Sequence, residues 1–254
     1  MGMKHPQIRK NRKKRKKSAR LIPIKQIFFI NSFSIYLTMK MDTDRSSAAI
    51  NIVGFVIFLV LYPILLLDVN SALSDSGMLF IVIYGIAMLI FWPIQIAYHV
   101  LLANATYNPT LQRIDRGSML ILIAAIFSPV IIAYIPEPVA MIMVVFFWIL
   151  VVLGIVLLLA IEDLSRHLAP AVAFTMGIAG MIAILIRISA LSVSSIMFFV
   201  LGSALLLIAG VVYLLKKPDP SPEVFGFHEV FHVLILIGTI FLHFLVSGSI
   251  LFIS

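Results

Sequence analysis

The chain contains no cysteine and little charge: 12% of its 254 residues are Asp, Glu, Lys or Arg, while 62% are hydrophobic. Without thiols there are no disulfides and no thiolate metal sites, so any transition metal has to be held by His, Asp or Glu. So little polar surface excludes a soluble globular domain, because one core of this length cannot bury that much apolar side chain. The alternation of apolar and polar residues over about ten positions that a membrane β-barrel needs is also missing, because the apolar runs here are continuous. No stretch between the runs is long enough to form an extramembrane domain.

The one concentration of charge is at the start. Thirteen of the nineteen Lys and Arg lie in residues 1–45, including the run Lys10-Asn11-Arg12-Lys13-Lys14-Arg15-Lys16-Lys17. Such a run can touch RNA or anionic headgroups, but no aromatic interleaving accompanies it and no nucleic-acid partner is expected. The stretch 21–37 is broken by Lys25, Asn31 and Ser32 and lacks a small-residue cleavage signature, so it reads as neither a signal peptide nor a span. Residues 1–46 are therefore expected to be a disordered basic tail ahead of a transmembrane domain over 47–254. Met39 and Met41, just before the first clean apolar run, are candidate true starts; N-terminal sequencing of the native protein that finds residues 1–40 would rule this out.

Seven apolar runs are long enough to cross a bilayer, about 20 residues each at 1.5 Å rise per residue. They fall at 48–67, 78–102, 118–135, 139–161, 170–186, 191–215 and 227–253. Short connectors with turn residues separate them, such as Pro136-Glu137-Pro138 and Lys217-Pro218-Asp219-Pro220-Ser221-Pro222. The fold class is an all-α seven-transmembrane-helix bundle. Lys and Arg in the connectors set its orientation: the tail, Arg113 and Arg116, Arg166, and Lys216 with Lys217 share one side, and only Arg187 falls on the other. The N-terminus is expected in the cytoplasm and the C-terminus outside, with the chain in the plasma (inner) membrane. Six or eight spans would break the charge pattern.

Ionisable groups inside spans are costly and default to a functional reading. The seventh run opens with Phe225-Gly226-Phe227-His228-Glu229-Val230-Phe231-His232. His228 and His232 are four residues apart, about 40° and 6 Å on a helix, so they share a face. The alternating topology puts them at the same depth as His99, near the end of the second run, and Asp115, at the start of the third. Two imidazoles from one helix and a third from another suit a catalytic zinc with an open fourth position, although a simple hydrogen-bonded His pair is the plain alternative. A haem is a poor fit, because two His one turn apart on one helix cannot take opposite faces of the ring. Glu229 is rotated about 100° from its neighbours and is expected to bond elsewhere. His243 lies about 16 Å beyond His232, too far for the same site, and reads as a buried hydrogen-bonding residue.

Tyr98-His99, the segment from Leu111-Gln112-Arg113-Ile114-Asp115-Arg116-Gly117-Ser118 to Pro129, and Phe225–His232 together resemble the hemolysin III family. That family is the bacterial branch of the progestin and adiponectin Q receptor group, within a wider membrane hydrolase superfamily. The resemblance runs from about Ser47 to Ser254, with the three motifs in order. It implies zinc ligands His99, His228 and His232, with Asp115 bonding the water at the metal. One position departs from the pattern. The family usually has Ser four residues before the second-helix His, and here that residue is Gln95, an amide donor and acceptor instead of a hydroxyl.

On this resemblance the expected activity is zinc-dependent hydrolysis of lipid amides or esters, with Asp115 as the catalytic group and membrane lipids as partners. The alternative is a non-catalytic, zinc-stabilised protein of membrane homeostasis, sensing or cytolysis, although no charged ring or amphipathic span lines a pore. No pair of Gly- or Pro-broken spans in matching halves suggests a transporter. The absence of cysteine makes the orientation simple to test. A single Cys at Ser221 is expected to react with a membrane-impermeant maleimide only from the cytoplasmic side, and one at Ser189 only from outside; the reverse would invert the topology.

Overall fold

The protein is described by a computed structural model over residues 24–68, 75–103, 109–161 and 168–251, with side chains over 44–67, 75–102, 109–161 and 168–249. Two units divide the chain, Met1–Thr38 and Met39–Ser254. Among the described residues the regular structure is helical, apart from one bridge between Ser221 and Phe225. The helices are α1 (Ile24–Asp68), α2 (Asp75–Ala103), α3 (Pro109–Tyr134), α4 (Val139–Ala160), α5 (Leu168–Ile186), α6 (Val193–Leu215) and α7 (Phe227–Leu251), with a short 3₁₀ turn at Ile188–Ala190 between α5 and α6. Among the described residues seven helical segments are long and apolar enough to cross a membrane, the first being Asp44–Leu67. The expected seven-helix bundle is therefore present.

Two helix starts differ from the expectation, for one reason. α1 begins at Ile24, inside what the sequence reads as tail, and residues 1–23 lie outside the described residues. After Pro23 the chain has neither Pro nor Gly until Gly54, so nothing interrupts the backbone ladder. α3 begins at Pro109 instead of residue 118; proline is well suited to the first helical turn, where its missing N–H costs nothing. Asp115 therefore sits in the second turn of α3. Hydropathy marks the apolar part of a helix, whether it faces lipid or other helices, and polar turns that extend the same helix escape it.

α3 is the central helix. Its span is 78% buried, against 22% for α1 and α4 and 50% for α2 and α7. It packs against α2, α4, α5 and α7, while α6 packs on α7. The outer faces stay apolar, for example Ile142, Leu157, Val193 and Val200, as surfaces in contact with lipid must be. α1 joins through one stripe of buried residues, Asp44, Ser47, Ala48, Asn51 and Phe58, at the three-to-four-residue spacing of a helix face.

Small residues set the closest approach. A Cβ added at Gly202 of α6 would stand 3.1 Å from the backbone oxygen of Gly238 and 2.7 Å from Leu242 Cγ, and one at Gly238 would stand 3.2 Å from Gly202 O. α6 and α7 thus meet backbone to backbone, the contact that only small residues permit. Gly180 likewise receives the ring of Phe127, whereas Gly177 faces open space. Gly202→Val is expected to cost about 1–3 kcal/mol through overpacking, whereas Gly177→Ala should gain about 0.5–1 kcal/mol from its helix propensity. Thermal unfolding of the two variants in the same detergent checks the contrast.

Candidate metal centre

The site begins with how α7 is started. Its N-terminal amides have no intrahelical partners, and two carboxylates take them. Gly226 N donates to Glu229 Oε2 at 2.8 Å and Phe227 N donates to Asp219 Oδ1 at 2.9 Å. Glu229 is the third residue of the helix reaching back to the residue that precedes it, one half of a capping box. Its other oxygen, Oε1, accepts from Ser47 Oγ of α1 at 2.7 Å. Glu229 therefore does bond elsewhere, as its azimuth predicts, and it fixes where α7 starts. The bridge between Ser221 and Phe225 folds the polar connector back to deliver Gly226 to that point.

With the start fixed, His228 and His232 project from the first two turns of α7 toward His99, one turn from the end of α2. His232 Nε2 lies 3.0 Å from His99 Nε2 and 3.2 Å from His228 Nε2. His99 and His232 are buried, and His228 is half-buried. The three histidines lie close enough together to hold a metal ion.

The donors fit such an ion better than they fit one another. His99 Nδ1 pairs with Asp44 Oδ1 at 3.2 Å; donating that proton leaves Nε2 of the neutral ring as a bare lone pair. His232 can offer one Nε2 proton to His99, and then has no lone pair there for His228. On these tautomers proton sharing supplies a proton to only one of the two Nε2–Nε2 contacts, whereas a cation could meet all three lone pairs. A tetrahedral centre with metal–nitrogen bonds of about 2.0–2.1 Å needs nitrogens about 3.3 Å apart, close to the two separations found. Three imidazole nitrogens suit a borderline metal such as zinc, copper or nickel.

Around this cluster are oxygens that lack partners. Asp115 Oδ1, Gln95 Oε1 and Asp44 Oδ2 are buried and accept no hydrogen bond. Buried acceptors are normally satisfied, so these oxygens are candidates to accept from a water or a ligand. Gln95, one turn before His99 on α2, donates through Nε2 to Ser118 Oγ at 3.0 Å and to the backbone oxygen of Asp115 at 3.4 Å. Ser118 Oγ in turn donates to the same backbone oxygen at 2.6 Å. Gln95 thereby ties α2 to the turn of α3 that carries Asp115, and Asp115 lies within electrostatic range of His99.

His243 stands apart. Its Nδ1 meets Tyr84 OH at 2.8 Å in a buried aromatic group with Phe58, the hydrogen-bonding role expected of it. Sequence reasoning missed Asp44 and Ser47, which it assigned to the tail or its edge. The available signal was an acid directly ahead of an apolar run, which needs a partner as much as one inside it does.

A family model described as haemolysin-III related matches residues 39–244, which include the three histidines, Gln95 and Asp115. No solved structure matches the chain.

Elemental analysis of the purified protein is expected to find one divalent transition-metal ion per chain. His99→Ala and His232→Ala should each lower the bound metal at least tenfold, whereas His243→Ala should leave it unchanged. Equal metal content in all three variants would place the ion elsewhere.

Proposed function

The chain belongs to the hemolysin III family, and from that premise we propose that it is a zinc-dependent hydrolase of lipid amides or esters in the plasma membrane. His99, His228 and His232 hold the zinc at the cytoplasmic side. The observation that carries this reading is the convergence of the three Nε2 atoms beside buried carboxylate and amide oxygens that have no partners. Bound there, zinc would supply a Lewis acid able to polarise a carbonyl and to make water a nucleophile near neutral pH.

The protein's own residues do the rest. Asp115 Oδ1 accepts a proton as water adds to the carbonyl carbon, then returns it to the nitrogen or oxygen that leaves when the C–N or C–O bond breaks. Gln95 cannot act as a hydroxyl would. Its Nε2 is committed to α3, so its free Oε1 serves as an acceptor that orients a donor on the substrate, such as an amide N–H or a hydroxyl. Half-buried His228 marks the side by which substrate arrives, and the apolar outer faces admit an acyl chain directly from the bilayer.

A second reading rests on the same glutamine. With an amide in place of the usual hydroxyl, the zinc would only brace the helices of a protein that senses or adjusts membrane state, or that acts in cytolysis. One comparison separates the two. In the hydrolase, Asp115→Asn retains zinc but lowers hydrolysis of a fluorescent N-acyl lipid by about 10²-fold or more. Zinc bound with no hydrolysis by the unaltered protein, or hydrolysis indifferent to Asp115→Asn, would favour the bracing role.

A further inference from the structure

The first span meets the histidine cluster at one point, and that contact carries more than packing. Asp44 is buried in the first turn of the Asp44–Leu67 span, with Oδ1 3.2 Å from His99 Nδ1. Its Oδ2 is also buried and has no hydrogen-bond partner. One turn further on, Ser47 bonds to Glu229 at the head of α7. Asp44 and Ser47 occupy one face of α1, so a single helical turn touches both the α2 ligand and the cap that sets the α7 ligands.

The charge balance gives Asp44 its role. Three neutral imidazoles around a divalent cation leave two positive charges in an apolar interior, where unpaired charge is severely penalised. Asp44, 3.2 Å from the His99 ring, places a negative charge directly against one of the ligands and offsets part of that excess. A carboxylate on Nδ1 also holds His99 in the tautomer that presents Nε2 as a lone pair and raises its basicity, as carboxylates do for metal-bound histidines generally.

We propose that Asp44 is a positioning residue of the metal centre: it orients and charges His99 as a ligand, and so couples metal binding to the seating of the first span. The proposal rests on the zinc reading of the three histidines. It requires that the energetic contribution of Asp44 be present when metal is bound and small when it is not.

The test uses the full-length protein in detergent, with zinc affinity measured by chelator competition and thermal unfolding followed with and without zinc. Asp44→Asn keeps the shape and an acceptor oxygen but removes the charge. It is expected to weaken zinc binding about 10–100-fold, to shrink the zinc-induced rise in unfolding temperature, and to leave the metal-free unfolding temperature unchanged. Asp44→Ala should weaken binding further, and Asp44→Glu should restore part of the affinity. With cobalt(II) in place of zinc, the visible absorption bands should shift in Asp44→Asn, because the orientation of one ligand has changed.

Unaltered zinc affinity in both Asp44→Asn and Asp44→Ala, with the unaltered protein binding zinc, would overturn the role of Asp44 and leave the histidine site standing. An equal loss of unfolding temperature with and without zinc would make Asp44 a purely structural contact and overturn it as well. No zinc bound by the unaltered protein would remove the histidine reading first and this proposal with it.

Discussion

Three imidazole nitrogens facing one another inside an apolar bundle are the constraint on which the rest of the arrangement depends. In water they would be indifferent neighbours. In an apolar surrounding, lone pairs and N–H groups are best answered from within the protein, and a cation could meet all three nitrogens at once. The surrounding structure serves that demand. Asp44 takes the outer nitrogen of His99, Glu229 and Asp219 fix the start of α7 so that His228 and His232 fall at the right height, and Gln95 and Ser118 hold the turn of α3 that brings Asp115 alongside.

The same demand explains the division of labour among the helices. α3, the most buried, is the post against which α2, α4, α5 and α7 lean, and it contributes a carboxylate but no metal ligand. α2 and α7 contribute the three histidines that could hold a metal ion. α1 is among the most lipid-exposed of the spans, yet its buried stripe places Asp44 and Ser47 where they join the other two. The close glycine contact between α6 and α7 holds α7 in place, with no chemistry of its own.

Much of this was legible in the residues. The seven spans follow from apolar length, and the meeting of His99 with His228 and His232 follows from counting spans and asking which histidines share a depth. The exclusion of Glu229 followed from 100° of rotation, and the separation of His243 from 16 Å of rise. The helix starts at Ile24 and Pro109 were hidden because hydropathy reports the apolar part of a helix, whereas backbone hydrogen bonding continues until a proline or a cap stops it. Asp44 was hidden by the same effect: in a polar turn ahead of the apolar run it looks like tail, and only the continuation of α1 brings it to His99. The hydrogen bonds of Gln95 had no signature at all, since they depend on how close α2 and α3 come.

The central claim is that a single zinc ion is held by these three histidines. X-ray absorption at the zinc edge of the purified, cysteine-free protein tests it most directly. The account predicts a first shell of four nitrogen and oxygen neighbours at about 2.0–2.1 Å, with the outer-shell scattering pattern of three imidazoles, reduced to two in His99→Ala. A shell of oxygens without imidazole scattering, or a spectrum that His99→Ala leaves unchanged, would contradict it.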